Sequence, residues 1–198
     1  MDLVARAQAI ILKPKEEWAK IKGETTTVSQ LFMTYAAILA LIPTVAQFIG
    51  YGLIGIRVPY AGMIRAGIGT ALIRAIVYYV EQLAMVYALG LIINALAPSF
   101  SSKQSQDSAM KLAVYSMTVA WVAGIFFIIP ALGILAMLAG LYGLYVLYLG
   151  FATPMMETPK EKVLGYLIVC IVAVVVLAVV AGVILSAIFS VGRVPVGF

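Results

Sequence analysis

The chain has 198 residues, 64% hydrophobic and only 11% charged, with net charge +5; soluble domains carry about 25% charged residues, and a water-soluble core cannot absorb such an apolar surplus. The apolar residues fall into blocks of about 20 or more, long enough to cross a hydrocarbon layer of about 30 Å as helix, so the bilayer is the solvent for most of the chain. The 13 Lys and Arg form no basic stripe of the kind that tracks a phosphate backbone, histidine is absent, and Cys170 has no second cysteine to pair with; nucleic acid, disulfide frameworks and thiolate metal sites are thereby excluded, and no metal or cofactor is expected.

Residues 1–27 form a separate N-terminal region. Met1 to Lys13 carries Asp2 and Arg6, lacks a long apolar core and a small-residue cleavage site, and reads as mature sequence. Leu3, Val4, Ala7, Ile10 and Ile11 recur at helical spacing while Arg6, Gln8 and Lys13 take other faces, which predicts a short helix lying in the membrane interface. Pro14 suits the first turn of a second short helix and Gly23 its end. Trp18 stands where an interfacial anchor is expected.

Residues 28–190 read as one membrane domain of five spans, an all-α membrane protein built as a five-helix transmembrane bundle. The first span runs from about Val28 to Ile49, with a kink expected near Ile42 because Pro43 frees a carbonyl. Six glycines with Pro59, Arg57 and Arg65 lie between Gly50 and Thr70, a composition suited to an extramembrane connection or a shallow re-entrant piece. The second span, about Ala71 to Leu96, contains Arg74, Glu81 and Asn94. After a polar connection from Pro98 to Asp107, the third span covers about Ala109 to Ile129. Pro130 and Gly133 form the turn into the fourth, about Leu132 to Ala152, so these two spans make a tight antiparallel hairpin. Thr153 to Lys162 is a second polar break, Val163 to Phe189 the fifth span, and residues 191–198 a short tail.

With five spans, nine of the basic residues fall on the side of the N-terminus and the connections carrying Lys103, Lys111, Lys160 and Lys162; four, Arg57, Arg65, Arg74 and Arg193, fall on the other. The positive-inside rule places the N-terminus in the cytoplasm and the tail outside.

Glu81 is the one acidic residue well inside a predicted span, where a carboxylate needs a partner, a proton or a hydrated cavity. Arg74 precedes it by two turns and Tyr78 by one, so a polar strip can descend to it from the external surface. Tyr142, Tyr145 and Tyr148 follow at one-turn spacing on the fourth span among Gly140, Gly143 and Gly150, and Tyr115 lies on the third. These residues are the candidate lining of a polar cavity that attracts protons or cations. The plainer alternative is interhelical bonding by Glu81 and helix packing by the tyrosines. Asn94 faces elsewhere and is read as a cap or polar contact. Enzymatic arrangements that need histidine, paired carboxylates or a phosphate-cradling glycine loop find no match.

Several segments in register resemble the Yip family of membrane proteins (Ypt-interacting, the Yip domain) in its prokaryotic branch. They are Lys13-Pro14-Lys15-Glu16-Glu17-Trp18-Ala19-Lys20-Ile21, Asn94-Ala95-Leu96-Ala97-Pro98-Ser99-Phe100, Lys111-Leu112-Ala113-Val114-Tyr115-Ser116, Ile129-Pro130-Ala131-Leu132-Gly133 and Gly140-Leu141-Tyr142-Gly143-Leu144-Tyr145. The resemblance covers about residues 10 to 185. It implies a five-span bundle with a cytoplasmic N-terminus, and in eukaryotic relatives an adaptor of vesicle traffic that engages Rab-type GTPases. Those relatives have a longer N-terminal region than the 27 residues preceding the first span here, so the GTPase role is not carried over. Where the family usually places a proline soon after the Tyr-Ser pair, this chain has Thr118-Val119-Ala120, which predicts a straighter third helix. The function expected is that of a non-enzymatic scaffold or interaction protein of a prokaryotic inner membrane. Its expected partners are the lipid bilayer, further copies of itself, other membrane proteins or a bound lipid. The alternative is a small transporter, channel or lipid-handling protein using the Glu81 cavity.

Overall fold

A computed structural model describes residues 2–58, 62–65, 67–152 and 155–191. Pro59, Thr153, Pro154, Arg193 and the tail from residue 192 lie outside these.

The N-terminal region folds as two short helices, α1 (Leu3–Leu12) and α2 (Pro14–Lys22). Asp2 caps the first, its carboxylate accepting from the backbone N–H groups of Val4 (3.0 Å) and Ala5 (3.3 Å), which satisfies donors that the first turn cannot bond internally. Pro14 opens α2; Glu16 and Glu17 lie in its first turn and Lys20 and Lys22 in its last, the order that complements the helix dipole.

Five long apolar helices follow: Val28–Ile54, Ile68–Phe100, Gln106–Ile128, Pro130–Ala152 and Lys160–Ile184. All five predicted spans are present. The first starts at a capping box in which Thr27 and Gln30 each bond the other's backbone N–H. It continues helically through Pro43 and widens into π turns at Phe32–Ala36 and Phe48–Ile54. Donors from the second span reach the turn ahead of the proline: Tyr79 Oη donates to the Ala37 carbonyl (3.1 Å) and Gln82 Nε2 to that of Ala40 (3.0 Å). The first span therefore reaches farther than its composition suggested. Part of the glycine-rich stretch read as connection is its last turns, and the remainder includes a two-stranded antiparallel ribbon, β1 (Ile56–Val58) with β2 (Gly62–Ile64), pairing Arg57 with Met63.

The third span is the central post of the bundle, 61% buried against 11% for the fifth. Residues 109–116 along it are all buried. It is built as two α-helical stretches, Gln106–Ser116 and Thr118–Ala123, with a 3-10 end. Its ladder breaks at Met117, whose N–H turns to the Val114 carbonyl (3.2 Å). The hydroxyls on either side supply the cause: Ser116 Oγ bonds the Leu112 carbonyl and Thr118 Oγ1 that of Tyr115 (2.7 Å), side-chain bonds that compete with the regular pattern. The third and fourth spans form the expected hairpin, joined through Ile129 and the single turn Pro130–Leu132.

Glycines allow backbones to meet where the first span crosses the third. A Cβ on Gly124 would lie 2.5 Å from Pro43 Cβ, and one on Gly50 would overlap the Phe127 carbonyl oxygen. Since a backbone oxygen cannot rotate away, Gly50→Ala is expected to cost about 1–3 kcal/mol, read as a lowered melting temperature in detergent. Gly140→Ala, where a Cβ meets nothing within 4 Å, should leave the melt unchanged. Equal melts for the two variants would refute this crossing.

The fifth span is held by its N-terminal half. Tyr166 donates to the Ile93 carbonyl, stacks on Phe100 with centroids 4.6 Å apart, and meets Phe151 at 4.5 Å. Farther along, Val176, Val179, Val180, Val183 and Ile184 face outward.

Candidate functional site

The charged groups that the fold buries are not those the sequence points to. Arg6 on α1 is 7% exposed and Glu17 on α2 is 5% exposed. The Arg6 guanidinium forms ion pairs with Glu17 and with Glu24, and lies over the Tyr115 ring at 5.7 Å. Lys20 reaches the other Glu17 oxygen at 3.0 Å. Lys111, 5% exposed, comes from the third span to donate to the carbonyls of Ile21 (3.5 Å) and Glu24. A cation there satisfies acceptors that the end of α2 leaves open and complements its dipole. The cluster thus fastens the N-terminal helices to the bundle. Glu17, Lys20, Ile21 and Glu24 share a helical spacing, which is the sequence signal that could have revealed this face.

Trp18 belongs to the same junction, and the expectation of an interfacial anchor is corrected. It is 1% exposed, donates Nε1–H to the Val146 carbonyl (3.0 Å) and meets the Tyr115 ring edge-on at 6.3 Å. Gly150 leaves the space for its indole. Burial inside protein removes it from the headgroup level where an anchor acts.

The seven residues proposed to line one polar cavity are divided among separate places, because the third span stands between them. Tyr115 is fully buried, packs on Tyr35 at 4.9 Å, and its hydroxyl has no hydrogen-bond partner among the described residues. Tyr35 instead bonds Thr118 (2.9 Å). Tyr142 donates to the Ile11 carbonyl on α1 (2.8 Å), while Tyr145 and Tyr148 are exposed on the outer face of the bundle. Arg74, Tyr78 and Glu81 remain together as a strip on the second span. Arg74 is exposed, and Glu81 is half-buried with no ion pair among the described residues. Asn94 donates Nδ2–H to Gln106 (2.7 Å), and its backbone carbonyl accepts from Gln104 Nε2 (3.2 Å), tying the second span to the following connection.

Gln82, next to Glu81 in sequence, was missed and is the better connected of the two. It donates to Thr44 (2.9 Å) and the Ala40 carbonyl and accepts from Trp121 Nε1 (2.9 Å), joining three spans. An interior amide with its donors and acceptor all used rigidifies such a junction.

Two open spaces flank the third span. One, of about 350 Å³, lies among Pro43, Tyr78, Gln82, Trp121 and Met137; the other, of about 340 Å³ and almost wholly apolar, lies among Leu89, Gly140, Gly143 and Val174. Both are lined by Met117 and Ala120. A smaller space of about 240 Å³ opens beside Gln47, Tyr51 and Arg74.

Four spans around a buried third, with an N-terminal helix pair packed on them, make this a polytopic membrane protein. The Yip1 domain model matches residues 9–183, and the chain belongs to that family. The inner membrane protein YohC of Escherichia coli strain K12 is 27% identical over 117 residues, 59% of this chain and 60% of that protein. The YohC of Escherichia coli O6:H1 gives the same figures. The match spans less than two thirds of the length of these relatives. No solved structure matches the chain.

Proposed function

We propose that this protein is a non-enzymatic scaffold of a prokaryotic inner membrane, with its N-terminus in the cytoplasm, presenting a preassembled charged face to another membrane protein or to a second copy of itself. The observation that carries this reading is the lacing of the face that holds the N-terminus. The Lys103 N–H donates to the Met156 carbonyl (2.7 Å), Ser102 Oγ to Thr158 (2.9 Å) and Lys162 Nζ to Ser101 (2.8 Å), while Lys103 pairs with Glu157 at 3.4 Å. The two connections are thereby joined to each other, just as the N-terminal helices are joined to the third and fourth spans. Lys13, Lys15, Lys20, Lys22, Lys103 and Lys160 are exposed. Asp2, Glu16, Asp107, Glu157 and Glu161 are exposed among them; a surface ordered before contact loses little conformational entropy on binding, and its mixed charge selects a partner of complementary pattern.

Crosslinking of exposed lysines in intact membranes, followed by purification of the full chain, should return a reproducible partner or a homo-oligomer. Replacing Lys13, Lys15 and Lys22 together by Glu should abolish the crosslinked species. Absence of any reproducible species, or its survival in the triple variant, contradicts the reading. Reporter fusions should place the N-terminus inside and the C-terminus outside.

A further inference from the structure

We propose that the two spaces meeting at Met117 and Ala120 are one trough, and that it holds a single lipid acyl chain laid along the third and fourth spans. The lining residues follow one stripe on each of three helices. On the fourth span Gly133, Ala136 and Met137 border the first space and Gly140, Gly143 and Leu147 the second, all within about a third of the circumference at 3.6 residues per turn. On the second span Tyr78 and Gln82 border the first and Leu89 the second, again on one side. The third span runs the opposite way, and the order holds there too: Phe127 and Trp121 lie at the first space and Ser116 at the second. Three helices that keep the same order along single stripes make the spaces successive lengths of one groove.

Leu147 follows Gly133 by about 21 Å of helix at 1.5 Å per residue. Gly133 begins the regular helix of the fourth span, so the trough starts near the hydrocarbon boundary on the side opposite the N-terminal helices. With a leaflet about 15 Å deep, it runs past the midplane. Met137 and Leu144 are exposed at its rim, which therefore opens sideways on the bilayer. Gly140 keeps the middle clear, since a Cβ there would meet nothing within 4 Å.

The lining selects hydrocarbon. No Asp, Glu, Lys or Arg borders either space among the described residues. The Gln82 amide is already bonded to Thr44, Ala40 and Trp121, and the Ser116 hydroxyl to the Leu112 carbonyl. Apolar spaces of this kind exclude water and take apolar ligands. A helix of another protein is too wide: at 10–12 Å across it would need more than twice the roughly 690 Å³ that the two spaces offer over the same length. An acyl chain is what the bilayer presents at the rim, and its polar end belongs at the boundary where the trough begins. Neither the trough nor its occupant depends on the charged face.

Trp121 is 2% exposed yet lines the trough, whereas Trp18, equally buried, lines neither space. The full chain is reconstituted in phosphatidylcholine vesicles with and without bromine at mid-chain, and Trp18→Phe and Trp121→Phe separate the two fluorescence components. The expected result is strong quenching of Trp121 with Trp18 little changed. Ala120→Phe, which fills the trough where its halves meet, should remove the Trp121 quenching; Met117→Phe serves the same purpose if that variant does not fold. Gly140→Leu closes the inner half alone and should reduce quenching by long chains while sparing chains half as long. An unquenched Trp121, equal quenching of both tryptophans, quenching that survives filling at Ala120 or Met117, or a Gly140→Leu variant that treats both chain lengths alike overturns the assignment.

Discussion

Glu17→Ala is expected to destabilise the folded protein by about 3 kcal/mol, the low end of what is lost when one partner of a buried ion pair is removed. The low end applies because Arg6 keeps its pairing with Glu24. What the variant leaves behind is an Arg6 that is 7% exposed with half its carboxylate partners gone, and a Lys20 without its acceptor. The loss should appear in thermal unfolding in detergent and as faster proteolysis within residues 1–27, since the cluster holds those helices on the bundle. Joint replacement of Arg6, Glu17 and Glu24 by Met, Met and Gln should recover much of the stability, because it removes the stranded charges along with the pairs. A single variant that unfolds and is cleaved like wild type would mean that the N-terminal helices do not dock.

Trp18→Ala should cost about 3–5 kcal/mol, the usual range for emptying a buried indole site. Its pocket is made by Leu112, Tyr115, Val146 and Gly150, on two different spans. Trp18→Phe fills much of that space but loses the bond to the Val146 carbonyl, for about 1 kcal/mol. The ratio between the variants distinguishes a packed core residue from a membrane anchor: an anchor would show little unfolding penalty in either and a weakened association of the N-terminal region with lipid instead. Both experiments also bear on the charged face, whose order depends on the docked helices.

The contrast between Glu17 and Glu81 shows how far sequence reasoning reaches here. Glu81 is noticeable because a hydropathy pattern exposes any charge inside an apolar run. Glu17 hides in Lys13-Pro14-Lys15-Glu16-Glu17-Trp18-Ala19-Lys20, a stretch so rich in charge that it reads as a solvated surface. Its burial comes from contact with Arg6, eleven residues away, and from the docking of both helices against Tyr115 and Val146, about a hundred residues on. No local pattern encodes such a meeting. The strip of Arg74, Tyr78 and Glu81 was legible because one helix carries it; its supposed extension to Tyr115, Tyr142, Tyr145 and Tyr148 required spans to be placed around one another, and the third span separates them. The break at Met117 likewise has a local cause, the hydroxyls of Ser116 and Thr118, but an apolar window does not register hydroxyls that bond their own backbone.

By itself, then, the sequence determined the solvent of this protein, the number of its spans, the hairpin of the third and fourth, and its family segments. All of these follow from runs of residues contiguous in the chain, because a bilayer imposes length and apolarity on each span separately. Only the tertiary structure decided that the third span is the core, that Trp18 and Glu17 are interior, that Gln82 rather than Glu81 joins helices, and that open spaces flank Met117 and Ala120. Inside a membrane every helix is apolar toward lipid and protein alike, so composition cannot say which face meets which neighbour; close packing and a few polar bonds make that choice.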